Sequence, residues 1–325
     1  MKNLIVTGGC GFIGSNFIKR FLRSHSDWKI FNLDKLSYSG NRENTRMLEK
    51  DPRYEFILGD VCDPTLVDTL IKNSDAVIHF AAETHVDRSI DNASEFLRTN
   101  VLGTQVMLDA AMKYRIPRYI HVSTDEVYGS VAEGAVKEDA PLLPNSPYSA
   151  SKAAGDLLVR SYRETFGYRA MIVRSSNNFG PYQFPEKVIP LFITNLIEGK
   201  KVPLYGSGKN QRDWIYVEDN CRAIELVFDK GEDGKTYNIG VGCPITNQEL
   251  TRTLLRLMKK GDEQIQFVAD RLGHDLRYSI DTTQVELLGF RAEWPFEKAL
   301  AHTIQWYEEH PDWWQPLKRD KYTLK

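Results

Sequence analysis

Three glycines spaced three residues apart, directly after a short apolar segment, constrain the fold of this chain more than any other feature. Leu4–Val6 predicts a buried strand, and Gly8, Gly11 and Gly14 follow it. Glycine allows a tight turn and lets the following helix pack close to a sheet. The amino end of that helix then presents backbone N–H groups to an anion. The pattern predicts a strand–turn–helix unit that holds the pyrophosphate of a dinucleotide.

Short apolar segments alternate with helical patterns over the first 180 residues. Strands are predicted at 4–6, 30–33, 54–58, 76–80, 119–122 and 170–173, and helices at about 12–25, 64–73, 92–114 and 147–166. Continuous apolar strands are typical of a parallel sheet covered on both faces. The alternation predicts the α/β class, with a doubly wound parallel (Rossmann) sheet formed by residues 1–180.

The sequence changes character after residue 180, where prolines and a Gly206–Gly208 turn interrupt it. Thr246 and Glu249 have the spacing of a capping box at the start of a helix. A second helix is predicted by the apolar period of residues 296–307. We therefore predict a smaller C-terminal α/β substrate-binding lobe over residues 181–325, with some exchange of strands and helices between the two lobes.

Composition excludes several classes of protein. The net charge of −2 argues against binding to the phosphate backbone of a nucleic acid. The sequence has no apolar run of about 18 residues and no leader before the first strand, so neither membrane insertion nor export is expected. The four scattered cysteines are typical of the cytoplasm. We predict no metal site, because His79 and His85 lack ligand spacing, and we interpret Cys10 as a packing residue.

Asp34 ends the second predicted strand, 20 residues after Gly14. A carboxylate at this place accepts a hydrogen bond from the ribose 2′-OH of NAD and repels the 2′-phosphate of NADP. The sequence therefore favours NAD, although the neighbouring Lys35 weakens the preference. Asp60, which ends the third strand, has two equally weighted interpretations. It resembles a residue that contacts adenine, and it could equally be the N-cap of a helix over 63–72.

Tyr148 and Lys152 are four residues apart and so share one face of the predicted helix 147–166. An ammonium group near a phenol is expected to lower the phenol pKa, which makes Tyr148 a general base near neutral pH. The adjacent carboxyl groups of Asp125 and Glu126 add a second acid/base pair. Taken alone, a surface turn and an ordinary helix start would also explain these residues.

Longer motifs resemble those of a known family. The glycine turn with Tyr148-x-x-x-Lys152 resembles the extended short-chain dehydrogenase/reductase family. Within that family, the chain resembles the nucleotide-sugar 4,6-dehydratases in segments 79–89, 123–129, 147–152, 176–187 and 212–219. Asp270–Asp275 is similar to the family's Asp-Arg-Pro-Gly-His-Asp run, with Leu272 in place of proline. The segment Gly129–Pro144 is shorter than in many members.

The resemblance implies a lyase that uses tightly bound NAD, regenerated in each turnover. It would convert a nucleoside diphosphate glucose, above all dTDP-glucose, to the 4-keto-6-deoxy sugar and water. Tyr148 would take the proton of the 4-OH, Lys152 would hold Tyr148 and the nicotinamide ribose, and Thr124 would bind the 4-oxygen. Glu126 would take the C5 proton. Asp125 would protonate the departing 6-OH.

The resemblance also implies two sets of binding residues. The cofactor set is Gly8, Gly11, Phe12, Ile13, Gly14, Asp34, Lys35, Asp60, Val61, Ala81, Ala82, Thr99, Tyr148, Lys152 and Asn178. The nucleotide-sugar set is Thr84, Thr124, Asn177, Lys187, Val188, Pro203, Tyr205, Arg212, Asn247, Arg271 and His274. Arg212 would contact the diphosphate in bidentate fashion. A surface ion pair with Asp213 or Glu218 is the alternative for Arg212, and a solvated charge is the alternative for Lys187.

Other functions stay open on the residues alone. UDP-glucose or another hexose nucleotide could be the substrate, since thymine and uracil differ by one methyl, a difference worth ~1–3 kcal/mol. A nucleotide-sugar 4-epimerase would use Tyr148 and Lys152 but has no use for a carboxylate pair. A silent NAD-binding scaffold would most simply have lost these residues. The family also pairs helices 92–114 and 147–166 in a four-helix bundle, which implies a homodimer; packing of both helices on the sheet alone is the alternative.

Overall fold

The computed structural model describes residues 1–270 and 273–319. Its strands are β1 Lys2–Thr7, β2 Trp28–Asp34, β3 Tyr54–Leu58, β4 Ala76–His79, β5 Arg118–Thr124, β6 Met171–Ser175, β7 Asn177–Phe179, β8 Val202–Tyr205, β9 Gln211–Tyr216, β10 Thr236–Ile239, β11 Pro244–Thr246 and β12 Ile265–Val268. Its helices are α1 Phe12–Ser24, α2 Pro64–Ile71, α3 Val86–Asp91, α4 Ser94–Phe96, α5 Thr104–Lys113, α6 Pro147–Phe166, α7 Val188–Ile197, α8 Val217–Lys230, α9 Asn247–Leu257, α10 Thr283–Leu287, α11 Phe296–Glu309 and α12 Pro311–Arg319.

A seven-stranded sheet in the order β10-β6-β5-β4-β1-β2-β3 forms the centre of the protein. All of its neighbouring strands run parallel. The chain order reverses at β1, which pairs with β2 on one side and β4 on the other, and ligands of such sheets bind in the crevice at this reversal. The predicted doubly wound fold is confirmed. β10 comes from residues 236–239, so the later part of the chain contributes a strand to this sheet; the division at residue 180 stays a prediction.

Successive residues of the central strands face opposite layers, as the pleat requires. Leu4 and Val6 pack in the layer that holds α1 and α8, whereas Ile5 packs in the layer that holds α2, α5 and α6. Both faces of the sheet are therefore buried. This explains why its strands read as continuous apolar runs instead of alternating ones.

Residues 92–114 are predicted as one helix, but the structure divides them. A π-helical segment, Leu97–Gly103, separates α4 from α5. Within it, the side chain of Asn100 bonds both the backbone N–H and the carbonyl of Glu83 and also the hydroxyl of Ser151. Such widened turns occur most often at functional sites, and this one joins the segment after β4 to helix α6.

The second lobe is built from small sheets and helices. β7, β9 and β11 form a three-stranded sheet, and β8 pairs with β12. The segment Gly129–Pro144 connects this lobe to the catalytic side, because the backbone N–H of Val136 donates to Ser279 and its carbonyl accepts from Asp281. No helix within residues 1–270 and 273–319 is long and apolar enough to cross a membrane.

The predicted capping box at the start of α9 is present. The Thr246 hydroxyl accepts from the Glu249 N–H at 3.0 Å, and the Glu249 carboxylate accepts from the Thr246 N–H at 2.7 Å. Thr246→Ala should lower the free energy of unfolding by about 0.5–2 kcal/mol in urea titration, since N–H groups at the helix start lose an acceptor. Thr69→Ala, at an exposed position inside α2, is the matched control. Equal losses in both variants would contradict the prediction.

Candidate active site

The glycine turn leaves no room for side chains. Gly8 follows β1 with φ of 69°, and a Cβ there would lie 2.7 Å from the Ala81 backbone. A Cβ on Gly14 would lie 2.5 Å from the Gly8 carbonyl oxygen. Gly11 caps the start of α1. These close approaches bring the first turn of α1 to the carboxyl edge of the sheet, where its N–H groups can receive an anion.

A cleft opens at this edge and encloses about 1150 Å³, including space open to solvent. Thirteen of the fifteen predicted cofactor residues line it: Gly8, Gly11, Phe12, Ile13, Gly14, Asp34, Lys35, Val61, Ala81, Ala82, Thr99, Tyr148 and Lys152. Thr84 and Lys187 of the predicted substrate set line it as well. The cleft has the glycine turn at one side and the Tyr148–Lys152 pair at another, so its shape fits a dinucleotide.

The carboxylate of Asp34 is buried at the end of β2. It accepts from the backbone N–H groups of Cys10 at 2.9 Å and Leu36 at 2.8 Å, and burial raises its pKa. The neighbouring Lys35 is engaged elsewhere: its ammonium lies 2.9 Å from the Thr99 hydroxyl and 3.3 Å from the Glu83 carboxylate. A 2′-phosphate would therefore meet Asp34 and a lysine whose charge is already paired, which favours NAD over NADP.

Asp60 and Asn178 lie outside the residues that line the cleft. The N-cap of α2 is Asp63, whose carboxylate accepts from Thr65 and Leu66, so the N-cap interpretation of Asp60 is wrong. Asp60 instead accepts from the backbone N–H of Cys62. The adenine contact of Asp60 and the cofactor contact of Asn178 stay predictions.

The catalytic residues come from two elements that contribute to the cleft, β5 through Val122 and Ser123 and α6 through Tyr148 and Lys152; Thr124, Asp125 and Glu126 are not among the lining residues. Thr124 ends β5, and Asp125–Tyr128 form a 3₁₀ turn behind it. Helix α6 begins with a reciprocal cap between Ser146 and Ser149, which places Tyr148 in the first turn. Hydrogen bonds from the hydroxyls of Thr84 and Thr124 act on the Tyr148 phenol. The structure thus brings together the residues predicted for chemistry at C4.

The electrostatics of Tyr148 differ from the expectation. Burial, followed by the charge of Glu126, raises the pKa of Tyr148. The ammonium of Lys152 donates to the Val122 carbonyl at 2.7 Å, and burial lowers the pKa of Lys152 to about 8. The predicted lowering of the Tyr148 pKa is therefore wrong for this geometry, because burial disfavours the phenolate and the nearby carboxylates of Glu126 and Asp125 disfavour it further.

Asp125 has the properties of a protonated acid. Its side chain is buried, and burial, together with the charges of Glu126 and Asp213, raises its pKa well above the ordinary range. The Arg212 guanidinium opposes the shift. One carboxyl oxygen of Asp125 has no hydrogen-bond partner among the described residues. A neutral carboxyl group with a free oxygen can donate to a leaving hydroxyl, as the prediction for Asp125 requires.

Asp125 should also shape the pH dependence of stability. A carboxyl whose pKa is raised on folding binds its proton more tightly in the folded state. The free energy of unfolding therefore falls as pH rises above the ordinary value of 3.8, by up to about 1.4 kcal/mol per pH unit. Asp125→Asn should remove this decline in urea titrations across pH. Asp68→Asn should have the opposite effect. The Lys113 ammonium lowers the pKa of Asp68, so this carboxylate makes the free energy of unfolding rise with pH, and its removal should make the decline steeper. A decline unchanged in Asp125→Asn would contradict the assignment.

Arg212 is a buried residue of β9. Its guanidinium donates to the Asp275 carbonyl at 2.9 Å and lies 4.2 Å from the ring centre of Tyr278. Asp213 accepts instead from the backbone N–H groups of residues 241–243, so the surface ion pair proposed as an alternative for Arg212 is wrong. Lys187 is no solvated charge either, since its ammonium donates to the Thr84 hydroxyl at 3.2 Å.

Six further predicted substrate residues lie outside the lining of the cleft, and all except Asn177 come after residue 180. Tyr205 ends β8 and lies edge-on to the His274 ring, whose Nδ1 is 2.7 Å from Asp270. Asn247 opens α9, and its backbone N–H donates to the Asn210 carbonyl. Val188 opens α7, Pro203 lies in β8, and Asn177 opens β7 with a buried side-chain oxygen that has no partner in the described chain. Arg271 lies outside the described residues.

His79, His85 and Cys10 were singled out as structural. His79 lies 2.7 Å from the Thr7 hydroxyl and 3.3 Å from that of Thr104, as expected of a satisfied strand histidine. His85 lies 4.0 Å from Glu186. Burial raises the pKa of Cys10 to about 12, as expected of a packing thiol. No group of three or more potential ligands for a metal ion occurs in residues 1–270 and 273–319.

Sequence analysis missed several residues that line the cleft: Ser37, Ser39, Gly40, Glu83, Ser123, Gln183 and Phe184. Three of them belong to the segment between β2 and β3, where Gly40 N–H donates to the Ser37 carbonyl. The Ser-x-Ser-Gly sequence marks a turn, but it does not say what the turn covers. Glu83, Ser123, Gln183 and Phe184 fall within the motifs that carried the resemblance, whereas Ser37, Ser39 and Gly40 do not.

Comparison with known proteins places the chain in a family. The GDP-mannose 4,6 dehydratase family matches residues 5–303. A curated dTDP-glucose 4,6-dehydratase from Streptomyces niveus is 49% identical over 320 residues, 97% of this chain and 95% of that protein. The Rossmann fold with a glycine turn and a Tyr–Lys pair defines a short-chain dehydrogenase/reductase-type enzyme. Within that class, the chain belongs to the GDP-mannose 4,6 dehydratase family, and the predicted membership is confirmed.

Solved structures agree with this assignment. DesIV, a dTDP-glucose 4,6-dehydratase from Streptomyces venezuelae crystallised with NAD and TYD, has a TM-score of 0.95 and 49% identity, over 97% of this chain and all of that one. The dTDP-glucose 4,6-dehydratase of Bacillus anthracis, crystallised with NAD, has a TM-score of 0.91 and 43% identity, over 98% of this chain and all of that one.

Proposed function

We propose that this protein is an NAD-dependent dTDP-glucose 4,6-dehydratase. The carboxyl pair Asp125–Glu126, set at the end of β5 beside Tyr148, carries the proposal, because simple oxidation or epimerisation at C4 needs no such pair. The relatives named dTDP-glucose 4,6-dehydratase cover almost the whole chain. NAD fits the cleft, which offers a side-chain-free turn to the pyrophosphate and Asp34 to a ribose hydroxyl.

The reaction begins at C4 of glucose. Bound NAD supplies the redox chemistry by accepting hydride from C4 and returning it later to C6. Tyr148 takes the proton of the 4-OH, which requires that the bound substrate and cofactor offset the burial that raises its pKa, and Thr124 hydrogen-bonds the 4-oxygen. Lys152, held by the Val122 carbonyl, would bind the ribose of NAD and keep it beside the phenol. The 4-ketone that results makes the C5 proton acidic.

Elimination follows at C5 and C6. Glu126 accepts the C5 proton, and Asp125 gives a proton to the 6-oxygen, so that the C6–O bond breaks and water leaves. Buried Asp125 enters this step protonated because its pKa is raised. After hydride returns to C6, Glu126 gives a proton back to C5. One water is lost and no external reductant is consumed, so the sum is dTDP-glucose to the 4-keto-6-deoxy sugar plus water.

Thr84, Lys187 and Arg212 are proposed to hold the nucleotide sugar. Lys187 and Thr84 are already hydrogen-bonded to each other at the cleft wall. Arg212 lies close enough to Asp125 to act on its charge, which places a guanidinium between the acid and the second lobe. Tyr205, Asn247 and His274, which lie outside the lining of the cleft, are proposed to contact the nucleotide.

Incubation of the purified protein with dTDP-glucose and, separately, with UDP-glucose tests the function. We expect dTDP-glucose to lose one water in the mass spectrum, without added reductant, and to give a 4-keto product by alkaline absorbance. Turnover of UDP-glucose alone would overturn the nucleotide assignment but keep the mechanism. A product of unchanged mass would indicate a 4-epimerase. Lack of change with both would overturn the proposal.

We further propose a homodimer formed by residues 92–114 and α6. Leu97 and Leu157 are 54% and 50% exposed on these segments, whereas Leu108 is buried against the sheet. Light scattering should give the mass of two chains, and the double change Leu97→Glu, Leu157→Glu should give one. Leu287→Glu, at a more exposed site on α10, is the control and should not change the mass. A monomeric wild-type protein would refute the interface.

The cytoplasm is the proposed compartment. Its basis is the cysteine usage: Cys10, Cys62, Cys221 and Cys243 are all free thiols, and a reducing environment preserves free thiols. Fractionation of cells that produce the protein would test this, and recovery with secreted proteins would contradict it.

A further inference from the structure

Residues 35–41, here called the cofactor loop, form one wall of the cleft through Ser37, Ser39 and Gly40. Two backbone bonds anchor the base of the loop: the Leu36 N–H donates to the Asp34 carboxylate, and the Asn41 N–H donates to the Cys10 carbonyl. Both anchors lie on the dinucleotide side, next to the glycine turn. They do not by themselves connect the loop to the opposite wall.

Tyr38 makes that connection, in addition to Lys35, whose ammonium lies 3.3 Å from the carboxylate of Glu83 on the facing segment. Its hydroxyl donates to the backbone carbonyl of Thr84, which lies beyond β4 on the substrate side of the cleft. The ring of Tyr38 meets Phe184 edge-on, at 5.6 Å between ring centres. Thr84 and Phe184 both line the cleft. One side chain of the cofactor loop therefore contacts two separate segments of the facing wall.

An ion pair between half-exposed Arg88 and buried Glu186 lies against the Tyr38 ring. The Arg88 guanidinium lies 3.9 Å from the centre of the ring, within cation–π distance. Arg88 also lies 3.5 Å from the carboxylate of Glu186, whose side chain is fully buried. A buried carboxylate needs a positive partner, so Glu186 fixes Arg88, and Arg88 in turn fixes the ring. Arg88 and Glu186 belong to elements on either side of the substrate region, α3 and the segment before α7.

We propose that Tyr38 is a positioning residue that retains the bound dinucleotide by fastening the cofactor loop to Thr84. The inference rests on the proposed NAD-dependent reaction, in which the cofactor is regenerated in place and its departure would interrupt turnover. The hydroxyl of Thr84 bonds Lys187 and also acts on the Tyr148 phenol. One residue, Thr84, therefore connects the cofactor loop to Lys187 and to the catalytic Tyr148. Tyr38 itself takes no proton in the reaction.

Tyr38→Phe tests the proposal because it keeps the ring and its contacts with Arg88 and Phe184 but removes the hydroxyl, which bonds the Thr84 carbonyl and also interacts with the Glu186 carboxylate. The variant is loaded with NADH, excess NAD is added, and the loss of bound NADH fluorescence gives the release rate. A net hydrogen bond corresponds to release roughly threefold to tenfold faster than in the wild type. Tyr114→Phe, which removes a hydroxyl bonded to Asp68 away from the cleft, is the matched control and should release NADH at the wild-type rate.

Turnover separates positioning from catalysis. For Tyr38→Phe we expect reduced activity after dilution without cofactor and full kcat at saturating NAD. Unchanged NADH release, or a kcat that NAD does not restore, would overturn the proposal.

Arg88→Ala gives a second test should Tyr38→Phe not fold. It should also speed the release of NADH, and in the double variant the two effects on the release rate should be less than additive, since both act through one ring. Fully additive changes in the release rate would contradict the inference that Arg88 and Tyr38 act through the same ring. NADH release is measured without any sugar, so a protein that binds NADH but fails to dehydrate dTDP-glucose would refute the proposed function and not the role of Tyr38.

Discussion

Replacing Tyr148 with phenylalanine should lower kcat for dTDP-glucose by about a thousandfold, the usual contribution of a positioned general base. The change removes only the hydroxyl, so the ring still fills its place at the start of α6. Hydrogen bonds to Thr84 and Thr124 are lost with it. The initial rate of the 4-keto product gives the measurement, and the cofactor content of the purified variant should equal that of the wild type.

Tyr168→Phe serves as the control for this experiment. Its hydroxyl donates to the Ile116 carbonyl, far from the catalytic turn in the fold, so its loss should leave kcat unchanged. Should Tyr148→Phe retain more than about a tenth of the wild-type kcat, a different base would have to take the C4 proton, and the assignment of Tyr148 would be wrong.

The second large effect is expected from substitutions in the carboxyl pair Asp125–Glu126, because the two variants should block different steps of the elimination. Glu126→Gln lacks the base for C5, so C4 oxidation should persist while solvent deuterium no longer enters C5. Asp125→Asn keeps that base but cannot give a proton to the 6-oxygen. It should still exchange the C5 hydrogen and yet release no water. Loss of product formation by about 10²–10⁴-fold is expected in both.

Deuterium at C5, read by mass spectrometry of the recovered nucleotide sugar in heavy water, distinguishes the two variants. The geometry predicts the difference, because only Asp125 is fully buried and held neutral by a raised pKa, whereas Glu126 is half-buried in the same turn. Exchange abolished in Asp125→Asn and retained in Glu126→Gln would reverse the roles. Equal exchange in both would show that neither residue is the C5 base.

The assignment of these roles combines two kinds of inference. Family resemblance suggested which residue is the acid, and the burial of Asp125 supplies the independent physical reason. The resemblance could not supply the electrostatics of Tyr148, whose pKa is raised by burial and by Glu126 although Lys152 was expected to lower it. Spacing along a helix shows that two side chains share a face, but the pKa depends on how many waters the fold removes from each.

The glycine turn, the strand pattern and the capping box at Thr246 were determined by the sequence itself. Each of these features depends on a few neighbouring residues. A glycine is required where a Cβ would clash with the backbone, an apolar run is required where both faces of a strand are covered, and a hydroxyl caps the start of a helix. The predicted strands and helices of the first 180 residues are accordingly present, within a residue or two at their ends. The one divided helix, 92–114, contains a π-helical segment whose Asn100 bonds the distant Glu83 and Ser151.

Only the tertiary structure decided which distant segments meet at the cleft. The bond from Tyr38 to Thr84 joins residues 46 positions apart, and β10 pairs with β6 in the central sheet although β6 ends at Ser175 and β10 begins at Thr236. The burial of Arg212 against Tyr278, likewise, cannot be read from its neighbours Asp213 and Glu218. Backbone propensity and capping act over a few residues, whereas burial and charge depend on every segment that packs around a site. The sequence therefore determined the elements and their chemistry, and the packing of those elements decided which charges are exposed to water and which are not.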